Sequence, residues 1–171
     1  MTLVDELAGA RIGSTYNQYA DSELRRSRLA AYLESHRTAP ILLVGEAAGY
    51  RGARVSGIPF TSERQLTGTG PGEATATIVR RTLAELGLEQ DTLCWNVVPT
   101  HPGTPTSNRP PRRDEIATGL PFALELARGR RVIAVGRCAQ AALNAPYVRH
   151  PSHGGAAEFR DGLLRFAAGG L

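Results

Sequence analysis

Pro40 is followed by Ile41-Leu42-Leu43-Val44-Gly45-Glu46-Ala47-Ala48-Gly49. An apolar run without alternation suits a strand buried on both faces of a parallel sheet. Gly45 halts it, and the chain turns polar and glycine-rich at once. Outward from this stretch, three more segments look alike. Leu93-Cys94-Trp95-Asn96-Val97-Val98 stops at Pro99, Arg131-Val132-Ile133-Ala134-Val135 stops at Gly136, and Tyr147-Val148-Arg149 is a short fourth run. Helical patterns lie between and around them. Residues 15–36 carry a thin apolar stripe (Leu24, Leu29, Tyr32, Leu33), and 73–87 place Ile78, Val79, Leu83 and Leu86 at helical spacing. A third helix is expected from a cap at Asp114 to about Leu126, broken or kinked at Pro121, with others at 138–144 and 156–167. Stretches 45–72 and 99–113, rich in Gly, Pro, Ser and Thr, read as long loops. Strands alternating with helices predict an α/β chain: a three-layer α/β/α sandwich around a four-stranded, mostly parallel sheet.

A length of 171 residues suits one domain spanning 1–171, with 1–38 as an N-terminal helical segment. Hydrophobic residues at 42% and charged residues at 21% are globular proportions. No apolar run approaches the ~18–20 residues a bilayer demands. The opening Met-Thr-Leu-Val-Asp-Glu carries acid where a signal peptide carries base, so a cytoplasmic protein is expected. Two cysteines, Cys94 and Cys138, are too few for a four-thiolate metal cluster, and no metal or other cofactor is expected. All 20 basic residues are arginine. Without lysine there is no Schiff base and no phosphate-binding P-loop, which excludes pyridoxal-phosphate enzymes, P-loop NTPases and lysine-dependent DNA lyases.

In an open α/β sheet, ligands bind outside the carboxyl ends of the strands. The chemistry-bearing residues fall there: Gly45 and Glu46, Asn96, Gly136 and Arg137, and His150. Gly45-Glu46-Ala47-Ala48-Gly49, Gly57-Ile58-Pro59-Phe60, Asn96-Val97-Val98 and His150-Pro151-Ser152 occur in that order, with Asn108-Arg109-Pro110-Pro111 and Glu115 between the last two. Over residues 40–155 this set resembles the uracil-DNA glycosylase superfamily, in particular the bacterial and archaeal branch called family 4. Each motif is weak alone; their order and spacing make the resemblance specific.

The resemblance implies a DNA-repair hydrolase that rotates uracil out of DNA and cleaves its glycosidic bond. Gly45 and Ala47 would border the base, and Phe60 would stack on it. Asn96 would pair with it, because an amide offers an NH2 to uracil O4 and a carbonyl to N3–H. His150 would donate to O2 as negative charge develops, and Glu46 would orient water. Taken singly, Phe60 also suits a small core contact, Asn96 a satisfied buried amide and His150 a turn residue. The chain departs from the superfamily pattern at three points. The water-activating acid of the best-known branch falls on Ala47. The tyrosine that excludes the thymine methyl falls on Gly49, with Tyr50 as a substitute. The family 4 iron–sulfur cysteines are missing, and the N-terminal helical segment would take over their structural role.

Arg51, Arg109, Arg112 and Arg137, with Ser152 and His153, are expected to face DNA phosphate, since guanidinium forks match it well. His101 reads as a surface-loop histidine. The expected partner is uracil-containing DNA, with no membrane, and the expected state a monomer. Three other functions fit the same residues: removal of another deaminated or mismatched base (hypoxanthine, thymine), non-catalytic binding of uracil or abasic DNA, and nucleotide binding. The Gly45 turn lacks the dinucleotide-fingerprint spacing, which counts against the last.

Overall fold

The computed structural model describes residues 1–169. Its strands are β1 (Ile41–Ala47), β2 (Thr92–Val98), β3 (Gly103–Thr104), β4 (Ser107–Asn108), β5 (Arg131–Val135) and β6 (Tyr147–Val148). The helices are α1 (Leu3–Gly9), α2 (Glu23–Ser35), α3 (Ala53–Ser56), α4 (Glu63–Thr67), α5 (Ala74–Glu85), α6 (Arg113–Ala127), α7 (Arg137–Leu143) and α8 (Ala156–Ala167). Four strands form one sheet in the order β2-β1-β5-β6, with every neighbouring pair parallel. The unbroken apolar run of β1 is explained by its place. It lies between β2 and β5, and Leu42, Leu43 and Val44 are fully buried. This is the expected α/β architecture, with helices on both sides of a parallel sheet.

Register sets the chemistry. Gly45 pairs with Asn96 where β1 and β2 run side by side, so both stand near the carboxyl edge of the sheet. Gly119 lets α6 lie directly on β2: a Cβ there would run into the Val97 carbonyl oxygen and sit 3.2 Å from Val98 Cα. The helix continues through Pro121 instead of breaking there. The proline costs one backbone hydrogen bond, to the carbonyl of Ala117, and packing against β2 outweighs that loss.

Four expectations about local structure need correction. The helix expected from a cap at Asp114 is capped at Arg112 instead, with Asp114 inside its first turn. The helix expected over 15–36 starts only at Glu23, capped by Ser22. Residues 10–22 form an irregular strap instead, because side chains hold them elsewhere. Asn17 Nδ2 donates to the carbonyls of Leu7 (2.8 Å) and Ala10 (3.0 Å), and Tyr16 pairs with His101 through the backbone. Tyr19 is fully buried and donates to the Gly57 carbonyl at 3.0 Å. The stretch 45–72 is not all loop: β1 extends to Ala47, and α3 and α4 follow. The stretch 99–113 contains the small antiparallel hairpin of β3 and β4.

Candidate active site

The carboxyl edge of the sheet opens into a cleft of about 540 Å³. Each strand end contributes. Glu46 and Ala47 come from β1, Asn96 from β2, Arg137 from the turn after β5, and His150, Ser152 and His153 from the segment after β6. Phe60 enters from the α3–α4 connection, and Asn108 and Arg109 from the hairpin side. Of the residues singled out from sequence, Arg51, Arg112 and Tyr50, the expected substitute for the thymine-excluding tyrosine, lie outside this lining. Gly45 contributes beneath it: a Cβ at Gly45 would strike the Phe60 ring and stand 2.9 Å from Asn96 Oδ1. Only glycine leaves the ring room to lie over β1.

Asn96 is 4% exposed, and its amide has no protein hydrogen-bond partner among the described residues. It borders the cleft, within reach of a group that enters there. The satisfied core amide is therefore the wrong reading of this residue. Phe60 is also under constraint. Its φ of 51° is left-handed, a conformation costing about 1–3 kcal/mol for a residue with a Cβ. Such outliers persist only where surrounding contacts fix them.

His150 is half-buried. Its Nδ1 accepts the backbone N–H of Ser152 at 3.1 Å and lies 2.7 Å from the Ser152 hydroxyl. Accepting at Nδ1 assigns the ring proton to Nε2, so a neutral His150 keeps one N–H donor. Burial, and secondarily the nearby His153, hold its pKa below the usual 6.5. His153 itself is exposed at φ 52°, next to Gly154 at φ 78°, at the tip of the same turn.

Two carboxyl groups border the cleft. Glu46 is solvent-exposed yet faces the cavity, and desolvation raises its pKa while contact with the Cys138 thiol opposes the rise. Burial pushes that thiol up to about 11, with Glu46 adding to the effect, so Cys138 stays protonated. Glu73 was missed from sequence. Its only sequence signal was an acid at the start of α5, the place where an ordinary cap would stand. No side-chain cap bond forms. Its carboxyl instead fills the side-chain space left by Gly49 and Gly52; Cβ atoms there would stand 3.1 and 2.9 Å from Glu73 Cδ and closer to Oε2. Burial raises its pKa also.

The Asn108-Arg109-Pro110-Pro111 segment positions loops. Asn108 Oδ1 accepts the Tyr50 N–H at 2.9 Å. Arg109 makes two bonds to the Glu115 carboxylate (2.6 and 2.8 Å), which also accepts the Arg112 N–H at 2.8 Å. Arg109 is thus held by Glu115 and is not a free phosphate ligand, although it still borders the cleft. Arg112 is exposed, with one guanidinium nitrogen 3.3 Å from Ser14 Oγ. His101 is fully buried, not on the surface: its ring nitrogens lie 2.7 and 2.8 Å from the carbonyl oxygens of Ala48 and Thr104. Arg51 and Arg137 are exposed and stack on Tyr50 (5.3 Å) and Tyr147 (3.9 Å).

Among the described residues, no three His, Cys, Asp or Glu side chains gather as a metal site. Cys94 is buried in β2 and Cys138 sits beside Glu46, so the thiols do not fit an iron–sulfur cluster. No described helix is long and apolar enough to cross a membrane.

No curated protein matches the chain. Among solved structures, the crystal structure of wild-type SMUG2 from Pedobacter heparinus shares the fold, with a TM-score of 0.67 at 14% identity over 99% of this chain and 98% of that one. A family profile described as the uracil DNA glycosylase superfamily matches residues 33–165, a stretch that holds every strand and all the cleft residues above. Sheet order, edge cleft and matched sequence thus agree, and the chain belongs to the uracil-DNA glycosylase superfamily.

Proposed function

We propose that the protein is a monofunctional uracil-DNA glycosylase acting in base excision repair. The observation that carries this is Asn96: a buried amide with no protein partner, set beside an aromatic ring in a cleft. Uracil presents O4 as acceptor and N3–H as donor, the complement of an amide held in one orientation; cytosine presents the reverse. Extrusion of a base costs a few kcal/mol. Stacking on Phe60 offsets about 1–3 kcal/mol of that.

As the C1′–N1 bond breaks, its electron pair goes to N1 and the charge spreads onto O2. The Nε2–H of His150 stabilises that oxygen. Water adds its oxygen to C1′, and its proton passes to a cleft carboxylate. Glu46 is assigned to orient this water, being the carboxyl at the end of β1 beside Ala47. With no lysine to trap the sugar, the product is an intact abasic site.

A second reading, removal of another deaminated base such as hypoxanthine, is favoured by Glu73. A carboxyl fills the space at Gly49 where the resemblance leads one to expect an aromatic wall. Oligonucleotides carrying one uracil, one hypoxanthine or one mismatched thymine, scored for alkali-labile breaks and for binding, separate these. Cleavage at uracil alone is the expected result. Cleavage at hypoxanthine alone establishes the second reading, and binding of uracil DNA with no breaks at any of the lesions overturns both.

A further inference from the structure

Phe60 occupies a backbone conformation that its own Cβ disfavours, and the atoms that hold it there come from another element. Arg80, on α5, reaches across with two of its nitrogens. Nε donates to the Phe60 carbonyl (3.1 Å) and to Thr61 Oγ1 (3.0 Å). A terminal nitrogen donates to the Pro59 carbonyl (2.9 Å) and to the same hydroxyl (2.7 Å). Three consecutive residues are thus tied to one planar group. The Thr61 hydroxyl in turn donates a hydrogen bond to the Pro59 carbonyl at 3.1 Å, closing the turn.

Arg80 is not an ordinary ion-pair arginine. Among the described residues it makes no salt bridge within 4.0 Å, and its partners here are neutral oxygens, with the Tyr32 ring 5.4 Å from its guanidinium carbon. A cation committed to carbonyls is satisfied by geometry more than by charge. The planar fork of arginine can meet all these acceptors at once; a single ammonium cannot. The turn is also held by Ser56, whose Oγ donates to the Thr61 carbonyl at 2.6 Å.

We propose that Arg80 is a positioning residue: by gripping Pro59, Phe60 and Thr61 it locks the left-handed turn that lays the Phe60 ring over Gly45 and so forms the base-stacking wall of the cleft. Its effect on uracil release rests on the glycosylase reading; its grip on the backbone does not.

The test pairs kinetics with amide exchange. Uracil release from a uracil-containing oligonucleotide is measured at single turnover for wild type, R80K, F60A and R80K/F60A. Hydrogen exchange of segment 56–62 is followed by mass spectrometry in wild type and R80K. We expect R80K to be about tenfold slower, since small misplacement of a binding group is costly. F60A should be slower by about 10²-fold, and the double variant no slower than F60A, because Arg80 acts through Phe60. Exchange in 56–62 should quicken about tenfold or more in R80K while the β1 and β2 amides stay protected. Multiplying rate effects in the double variant, unchanged exchange in 56–62, or an R80K protein without cooperative melting would each overturn the proposal. If wild type releases no uracil, the glycosylase reading falls, and exchange alone still decides whether Arg80 holds the turn.

Discussion

Asn96, Phe60 and His150 show how single residues in this cleft are held ready by opposite means. Asn96 is left without partners, Phe60 is forced into a conformation it disfavours, and His150 is fixed in one tautomer by the Ser152 N–H. Asn96→Ala and His150→Ala should each slow uracil release by at least ~10²-fold, as expected for donors aimed at developing charge. Rates equal to wild type in both variants would remove the site assignment. Gly45→Ala should cost about tenfold or more in rate with the fold intact, because the new methyl displaces the Phe60 ring and crowds Asn96. Circular dichroism beside the kinetics separates this from unfolding.

Between residues and the whole molecule, loops are tied to helices by a few buried groups. The Glu115 carboxylate, fully buried at the start of α6, collects Arg109, the Arg112 N–H and Ser14 Oγ (3.3 Å). The N-terminal strap presses on it from the other side: a Cβ at Gly13 would stand 3.2 Å from Glu115 Oε1 and nearer to its Cγ. Bonding from Arg109 first, then from Arg112 and Ser14, lowers the Glu115 pKa from 4.5 to about 2. A depressed carboxylate stabilises the fold above its unfolded pKa and loses that effect as pH falls through the folded one. Glu115→Gln should therefore cost about 2 kcal/mol at neutral pH. The gap to wild type should narrow as pH drops from about 4.5 to about 2. Urea melts of both proteins across that range measure it; a gap that stays constant would show that the carboxylate charge is not what holds the strap. The strap also shows where periodicity misleads. The stripe that suggests a helix over 15–36 lies wholly from Leu24 onward, and in 15–22 Asn17, Tyr16 and Tyr19 find partners in α1, His101 and Gly57 instead.

At the scale of the whole molecule, a net charge of +4 carried wholly by arginine suits a polyanionic partner. Arg51 and Arg137 are exposed beside the cleft or its loops, whereas Arg109 is committed to Glu115. Binding of uracil DNA should weaken by about 10–10²-fold between 50 and 200 mM salt, the slope expected for a few phosphate contacts. A flat salt response would rule out an arginine-lined DNA surface. Arg109→Gln should change stability more than that slope. The amino-acid sequence by itself determined the sheet, because uninterrupted apolar runs and the breakers after them report burial on two faces wherever the chain goes. It also determined the order of the strand-end motifs, hence which residues meet at the carboxyl edge. What only the tertiary structure decided are the partnerships between distant segments: Glu73 in the space of Gly49, Arg109 on Glu115, His101 between two carbonyls, and Arg80 beneath Phe60. Local periodicity carries no information about such pairs. Their energies depend on distances that exist only once the sheet has brought the loops together.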